Sequence, residues 1–209
     1  MAEVTHPVPR LIVFSDTSRA EPALLIERFA RLAERALAAS VLFVVRDYGV
    51  PVRERLALGQ RLSELATSTG QHLGLAERAD LARALRCAAF HLPGSGLRAR
   101  DARHYLGPGV FLSRGAHELA IEPEPELDAL LLSPIFEARK ARPALGSQAL
   151  ARVARSLPRD APALFALGGV NAQNAAACLA AGAAGVAVIG AALEPDSEPL
   201  LAALGIARR

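Results

Sequence analysis

Short apolar runs without polar alternation recur along the chain, separated by stretches in which apolar residues return every three or four positions. The first runs are Leu11–Phe14, Val41–Val45, the weaker Gln71–Leu75, which opens on two polar residues, and Ala88–Leu92. They are followed by Val110–Ser113, Leu127–Leu132, Ala163–Leu167 and Gly185–Ile189. Runs of four to six apolar residues with no polar face predict strands buried on both sides, as in a parallel sheet covered by helices. Between them, Glu21–Ala39, with Leu24, Leu25, Phe29, Leu32 and Ala36, carries a helical stripe, with Pro22 in its first turn. Helices are also predicted over Val52–Thr69, Asp80–Cys87, Ala99–Leu106, Gln148–Leu157, Ala172–Ala181 and Pro199–Ile206. The segment after the fifth strand is a weak helix, because Pro123 and Pro125 interrupt it.

Eight such strand and helix units without a linker predict one closed (β/α)8 TIM barrel, a single α/β domain over residues 1–209. The length is at the low end for that fold. The last unit is the most informative. Ala163–Leu167 ends in Gly168-Gly169, Asn171 is a natural N-cap for the next helix, and Gly182 suits its left-handed end. The following strand closes on Gly190. Bare backbone at two neighbouring strand ends suits a phosphate, and the last strands of such a barrel are where one usually binds. Glycines are equally required for tight turns that bind nothing, so the signal is positional.

Composition adjusts this picture in three ways. Hydrophobic residues make up 52% and aromatic residues only 4%, so the core must be aliphatic. The net charge of +3 comes from scattered arginines with no basic run, which points to a small anionic ligand and away from nucleic acid. Cys87 and Cys178 sit in apolar, helix-like contexts, the pattern of buried reduced thiols in a cytoplasmic protein. The start lacks the apolar core of a signal peptide, and no apolar run is long enough for a membrane span.

Barrel enzymes place chemistry on the loops after the strands. Asp16, Arg46, Glu77, His91, Ser113, His117, Ser133, Lys140, Gly168, Gly169 and Gly190 fall there. No metal-ligand spacing, GxSxG elbow or Walker loop accompanies them. Cations, hydroxyls and one or two histidines fit a phosphorylated small molecule and proton transfer. Each residue also has a plainer role. His117 near a helix start reads as a surface histidine, His91 as a hydrogen-bonded structural residue, and Arg46 as a partner for Asp47 or Asp16. Lys140 lies among solvated charges, Ser113 and Ser133 can cap turns, and Glu77 suits the start of the third helix.

Over nearly its whole length the chain resembles the thiamine phosphate synthase/TenI family. The stretches that carry the resemblance are LIVFSD, VVRD, AERADLA, AAFHL, LSRGAH, LLSPIFEARKARPALG and FALGGVNAQNAAACLAAGAAGVAVIG. It implies a barrel acting on a thiazole phosphate, by one of two activities. The synthases join a pyrimidine diphosphate to the thiazole phosphate, with Mg²⁺ holding the pyrophosphate. The TenI type tautomerises a thiazole phosphate carboxylate, with a histidine as acid/base.

Several synthase positions differ here. Arg-x-Lys is replaced by Arg46-Asp47-Tyr48, and the metal-binding Asn-Asp pair and later Asp by Ala76-Glu77 and Gly96. The threonine-rich loop is reduced to Glu137–Lys140. His117 matches the TenI acid/base. The resemblance further implies phosphate binding by Gly168, Gly169, Ile189 and Gly190, with Arg46, Ser113, Ser133 and Lys140 as further ligand contacts. The expected reading is therefore a thiazole tautomerase that needs no cofactor or metal. The alternatives are a thiamine phosphate synthase using Mg²⁺ at an altered site, and a non-catalytic thiazole or thiamine phosphate-binding regulator. The expected partner is the small molecule. Family members are usually oligomeric, which leaves a homo-oligomer open.

Overall fold

The computed structural model describes residues 8–94, 96–121, 124–138 and 142–208. Its strands are β1 (Leu11–Phe14), β2 (Val41–Val45), β3 (His72–Ala76) and β4 (Ala89–Leu92), then β5 (Phe111–Ala116), β6 (Ala129–Leu132), β7 (Ala163–Leu167) and β8 (Gly185–Val188). They form a closed parallel barrel in sequence order, with β8 pairing back onto β1. The helices are α1 (Pro22–Arg35), α2 (Val52–Thr69), α3 (Ala79–Ala84), α4 (Ala99–Leu106), α5 (Gly146–Ser156), α6 (Ala175–Ala180) and α7 (Glu198–Ala203). The fold is the (β/α)8 barrel that the alternation predicts.

Closure explains why the strands lack polar alternation. Ile12 and Phe14 face the barrel interior with Leu42, Val44, Phe111, Leu131 and Phe165. Leu11 and Val13 face outward and pack with Leu25, Phe29 and Leu32 of α1. Both faces of each strand leave water, so both are apolar. Among the described residues, no helix is long and apolar enough to cross a membrane.

Several predicted boundaries are corrected. The first helix stops at Arg35 instead of Ala39, because Ala36 turns extended and bridges to Ala207. The third spans Ala79–Ala84, short of the predicted Cys87. The helix predicted from Ala172 begins only at Ala175, and its N-cap is Asn174. Asn171 is diverted: its Oδ1 accepts the Gln173 N–H at 3.0 Å, while its own N–H donates to Asn174 Oδ1 at 2.9 Å. Such local side-chain bonds compete with helix formation.

The fifth strand is the main correction. It runs through Arg114, Gly115 and Ala116 instead of stopping at Ser113, because β6 pairs with it from Ser113 to Ala116. No helix follows it among the described residues, so His117 lies directly at a strand end rather than at a helix start. The eighth strand ends at Val188. Ile189 instead precedes a short 3-10 helix, Gly190–Leu193.

Cys87 and Cys178 are free and buried, and burial pushes their thiols up to about 12 and about 11. They are protonated at neutral pH.

Candidate active site

Two adjoining cavities open among the loops that follow the strands. The larger, of about 840 Å³, takes in Gly168, Gly169, Ile189, Gly190, Arg19 and Arg142. The smaller, of about 370 Å³, takes in Phe14, Tyr48, Glu77, His91 and Gly115. Arg46, His117, Ser133, Leu167 and Ile189 line both. His117 thus stands at the boundary between them.

β7 delivers Gly168 and Gly169 at φ +97° and +69°. A Cβ on Gly169 would lie 2.8 Å from the backbone nitrogen of Glu137, so only glycine allows the loop after β6 to approach. That loop is tied down by backbone bonds: Ile135 N–H donates to Leu167 O at 3.0 Å and Phe136 N–H to Gly168 O at 2.8 Å. Asn174 Nδ2 donates to Gly169 O at 2.9 Å. The glycine turn is therefore fixed from both sides before any ligand arrives.

The His117 ring is oriented by Ser133, at the end of β6. Its Nδ1 lies 3.0 Å from the Ser133 carbonyl oxygen and 3.1 Å from Ser133 Oγ. A carbonyl oxygen can only accept, so this contact places the proton on Nδ1 and the lone pair on Nε2. Ser133 N–H in turn donates to Ala116 O at 2.9 Å, which holds the serine against β5. The ring is exposed, and the space it borders is the cavity pair.

The ends of β1 and β2 form a charged hub. Arg46 Nη2 donates to Asp16 Oδ2 at 2.8 Å, and Arg19 Nε approaches the same oxygen at 3.4 Å. Burial alone would raise the Asp16 pKa. The Ser18 hydroxyl and the Arg46 and Arg19 guanidiniums outweigh burial and hold it below the usual carboxylate value. Asp47 belongs to a separate buried cluster. Its carboxylate accepts from the Ser15 hydroxyl, the Thr17 hydroxyl at 2.8 Å and the Thr17 N–H at 2.6 Å. Of the two partners the sequence offered, Arg46 pairs with Asp16.

One predicted contact stands apart from the site. Ser113 lines neither cavity: it is buried inside the barrel, where its Oγ lies 3.0 Å from His91 Nδ1. The β4–β5 register sets Ser113 directly beside His91. Lys140 lies outside the described residues. Glu77 does not begin α3; it sits at φ +68° before it and pairs with the buried Arg55 at 3.3 Å. The sequence reading missed Arg19 and Tyr48. Tyr48 was legible only as the residue replacing a lysine, and Arg19 only as one of many arginines.

His91 is enclosed at the mouth of the barrel, edge-on to Phe14 with ring centroids 5.0 Å apart. Burial first, then the charges of Arg46 and Arg114, push it from 6.5 down to about 4. The unfolded chain therefore binds more protons than the fold between about pH 6.5 and 4. Stability should fall as pH drops through that window, by about 3 kcal/mol in total from this group. Denaturant unfolding at pH 7, 5 and 4 checks this, and His91→Gln should remove that part of the acid limb.

A family model described as thiamine monophosphate synthase matches residues 16–192. The chain belongs to that family. Thiamine-phosphate synthase of Mycobacterium bovis (strain BCG / Pasteur 1173P2) is 33% identical over 191 residues, covering 83% of this chain and 84% of that protein. The enzyme of that name from Thermobifida fusca (strain YX) is 34% identical over 187 residues, covering 86% and 84%. The solved thiamine phosphate pyrophosphorylase from Pyrococcus furiosus superposes with a TM-score of 0.78 at 23% identity. It covers 94% of this chain and 95% of its own, a likeness of fold.

The synthase branch implies Mg²⁺, and the carboxylates here do not fit it. Mg²⁺ takes near-octahedral oxygen ligation, usually with one or two free carboxylates. Glu77 faces Arg55, Asp16 is shared between two arginines, and Asp47 is enclosed by hydroxyl and amide donors. Ala76 and Gly96 bring no side-chain oxygen. Among the described residues, no group of three histidine, cysteine, aspartate or glutamate side chains could hold a metal ion.

Proposed function

We propose that this member of the thiamine monophosphate synthase family binds a thiazole phosphate and acts as a thiazole tautomerase, with His117 as its acid/base. The observation that carries the reading is the place of His117 where the two cavities adjoin, with its Nδ1 on the Ser133 carbonyl beside the glycine cup. The phosphate enters the turn of Gly168 and Gly169 and the backbone at Ile189 and Gly190. The thiazoline ring then lies against His117. Nε2 takes a proton from one ring carbon, becoming an imidazolium, and returns it to another carbon, so that an aromatic thiazole leaves and the neutral ring is restored. An imidazole, which can accept a proton at one nitrogen and give it back, suits both halves of that transfer. No redox partner or cofactor enters the balance.

The names of the relatives at 33–34% identity favour a second reading, a thiamine-phosphate synthase. One pair of assays separates the two. Proton NMR follows the thiazole phosphate carboxylate tautomer with and without protein, in buffer containing a chelator. Pyrophosphate release is measured with the pyrimidine diphosphate, the thiazole phosphate and Mg²⁺. The proposal expects isomerisation unchanged by the chelator and no pyrophosphate release above background. Mg²⁺-dependent release without isomerisation selects the synthase. Binding of thiazole phosphate with neither reaction selects a non-catalytic binder.

A further inference from the structure

The loop after β1 brings Arg19 to the glycine cup from the far side of the barrel seam, where β8 meets β1. Its Nη1 stands 3.5 Å from the point a Cβ on Gly190 would occupy. Among the described residues outside Gly190's own stretch of chain, no other atom lies within 4 Å of that point. Arg19 is anchored through Nε to Asp16, which is itself fixed by Arg46 and by the Ser18 N–H at 3.2 Å. Among the described residues, Asp16 is the only ion-pair partner of Arg19. A guanidinium held by Nε keeps its two terminal nitrogens free as a fork, the geometry that matches two oxygens of a phosphate.

The wider cavity does not provide that charge by composition. Glu137, Glu194 and Asp196 also line it, so a dianionic phosphate in the cup meets acidic as well as basic groups. A cation directly over Gly190 is where compensation has the most effect, because Coulombic attraction falls with distance and is screened by water.

We propose that Arg19 is a phosphate-binding residue, closing over the Gly190 backbone as a cationic clamp on a phosphate monoester held in the glycine cup. The identity of the ester rests on the thiazole phosphate reading; the clamp itself requires only a phosphate.

The test uses three probes on the full chain, the Arg19→Met variant and the Arg19→Lys variant. They are inorganic phosphate, the thiazole phosphate and its dephosphorylated alcohol, each followed by NMR titration. The side chain is 44% exposed, so both variants should fold, which circular dichroism confirms. Arg19→Met should weaken both phosphate probes roughly ten- to a hundredfold, the usual loss for one charge-assisted hydrogen-bonding group. The alcohol should bind as before, and Arg19→Lys should fall between. Wild-type affinity of Arg19→Met for inorganic phosphate overturns the clamp. So does an equal loss for the alcohol, or a wild-type protein that binds no phosphate probe. If inorganic phosphate depends on Arg19 while neither thiazole compound binds, the clamp stands and the thiazole reading fails.

Discussion

Replacing His117 by asparagine should lower thiazole isomerisation by roughly a hundred- to ten-thousandfold, the range expected when a positioned acid/base is removed. Asparagine is the informative choice because its amide nitrogen can still donate to the Ser133 carbonyl, 3.0 Å from Nδ1 in the native site. The loop stays in place while the lone pair on Nε2 is lost. Affinity for the thiazole phosphate, measured by calorimetry, should change little, since the phosphate contacts lie on the glycine turn and the Gly190 backbone. An asparagine variant with full turnover would remove the proposed base. A variant that loses turnover and binding together would give His117 a binding role instead.

The second large effect is expected at Gly169. At φ +69°, alanine there carries a left-handed strain of roughly 1–2 kcal/mol. Its Cβ would also stand 2.8 Å from the Glu137 nitrogen and 3.1 Å from the Phe136 carbonyl carbon. Both neighbours are backbone, so the loop after β6 must retreat as a unit. That loop begins at Ser133, which orients His117, so cup and base should fail together. Gly169→Ala is expected to lower the melting temperature by several degrees and to weaken thiazole phosphate binding more than tenfold. Wild-type melting and binding would show that the turn tolerates a side chain and that the cup is not the phosphate site.

The contrast between these variants reflects two kinds of information in the chain. The His117 position is visible as a residue after an apolar run. The tautomer of its ring depends on Ser133, sixteen positions away and brought near only by β5–β6 pairing. Similarly, His91 was legible as a buried strand residue, whereas its partner Ser113 follows from the β4–β5 register. Ser113 reads as a pocket hydroxyl while the fifth strand is thought to end there. Once that strand continues through Arg114, Gly115 and Ala116, the serine belongs to the interior. Those residues carry no strand signal of their own, and pairing with the apolar β6 imposes the conformation.

The closed barrel and the glycine-ended last unit are legible along the chain alone, because burial on both faces of every strand leaves a pattern that needs no distant partner. Which charges meet is set by the folded arrangement. Asp16 joins Arg46 and Arg19, Arg55 takes Glu77, and Asn174 holds the glycine turn. Polar side chains on loops carry no periodicity, and several partners of equal chemistry compete for each. Closing β8 onto β1 chooses among them by setting distance, and that choice directs Arg19 toward Gly190.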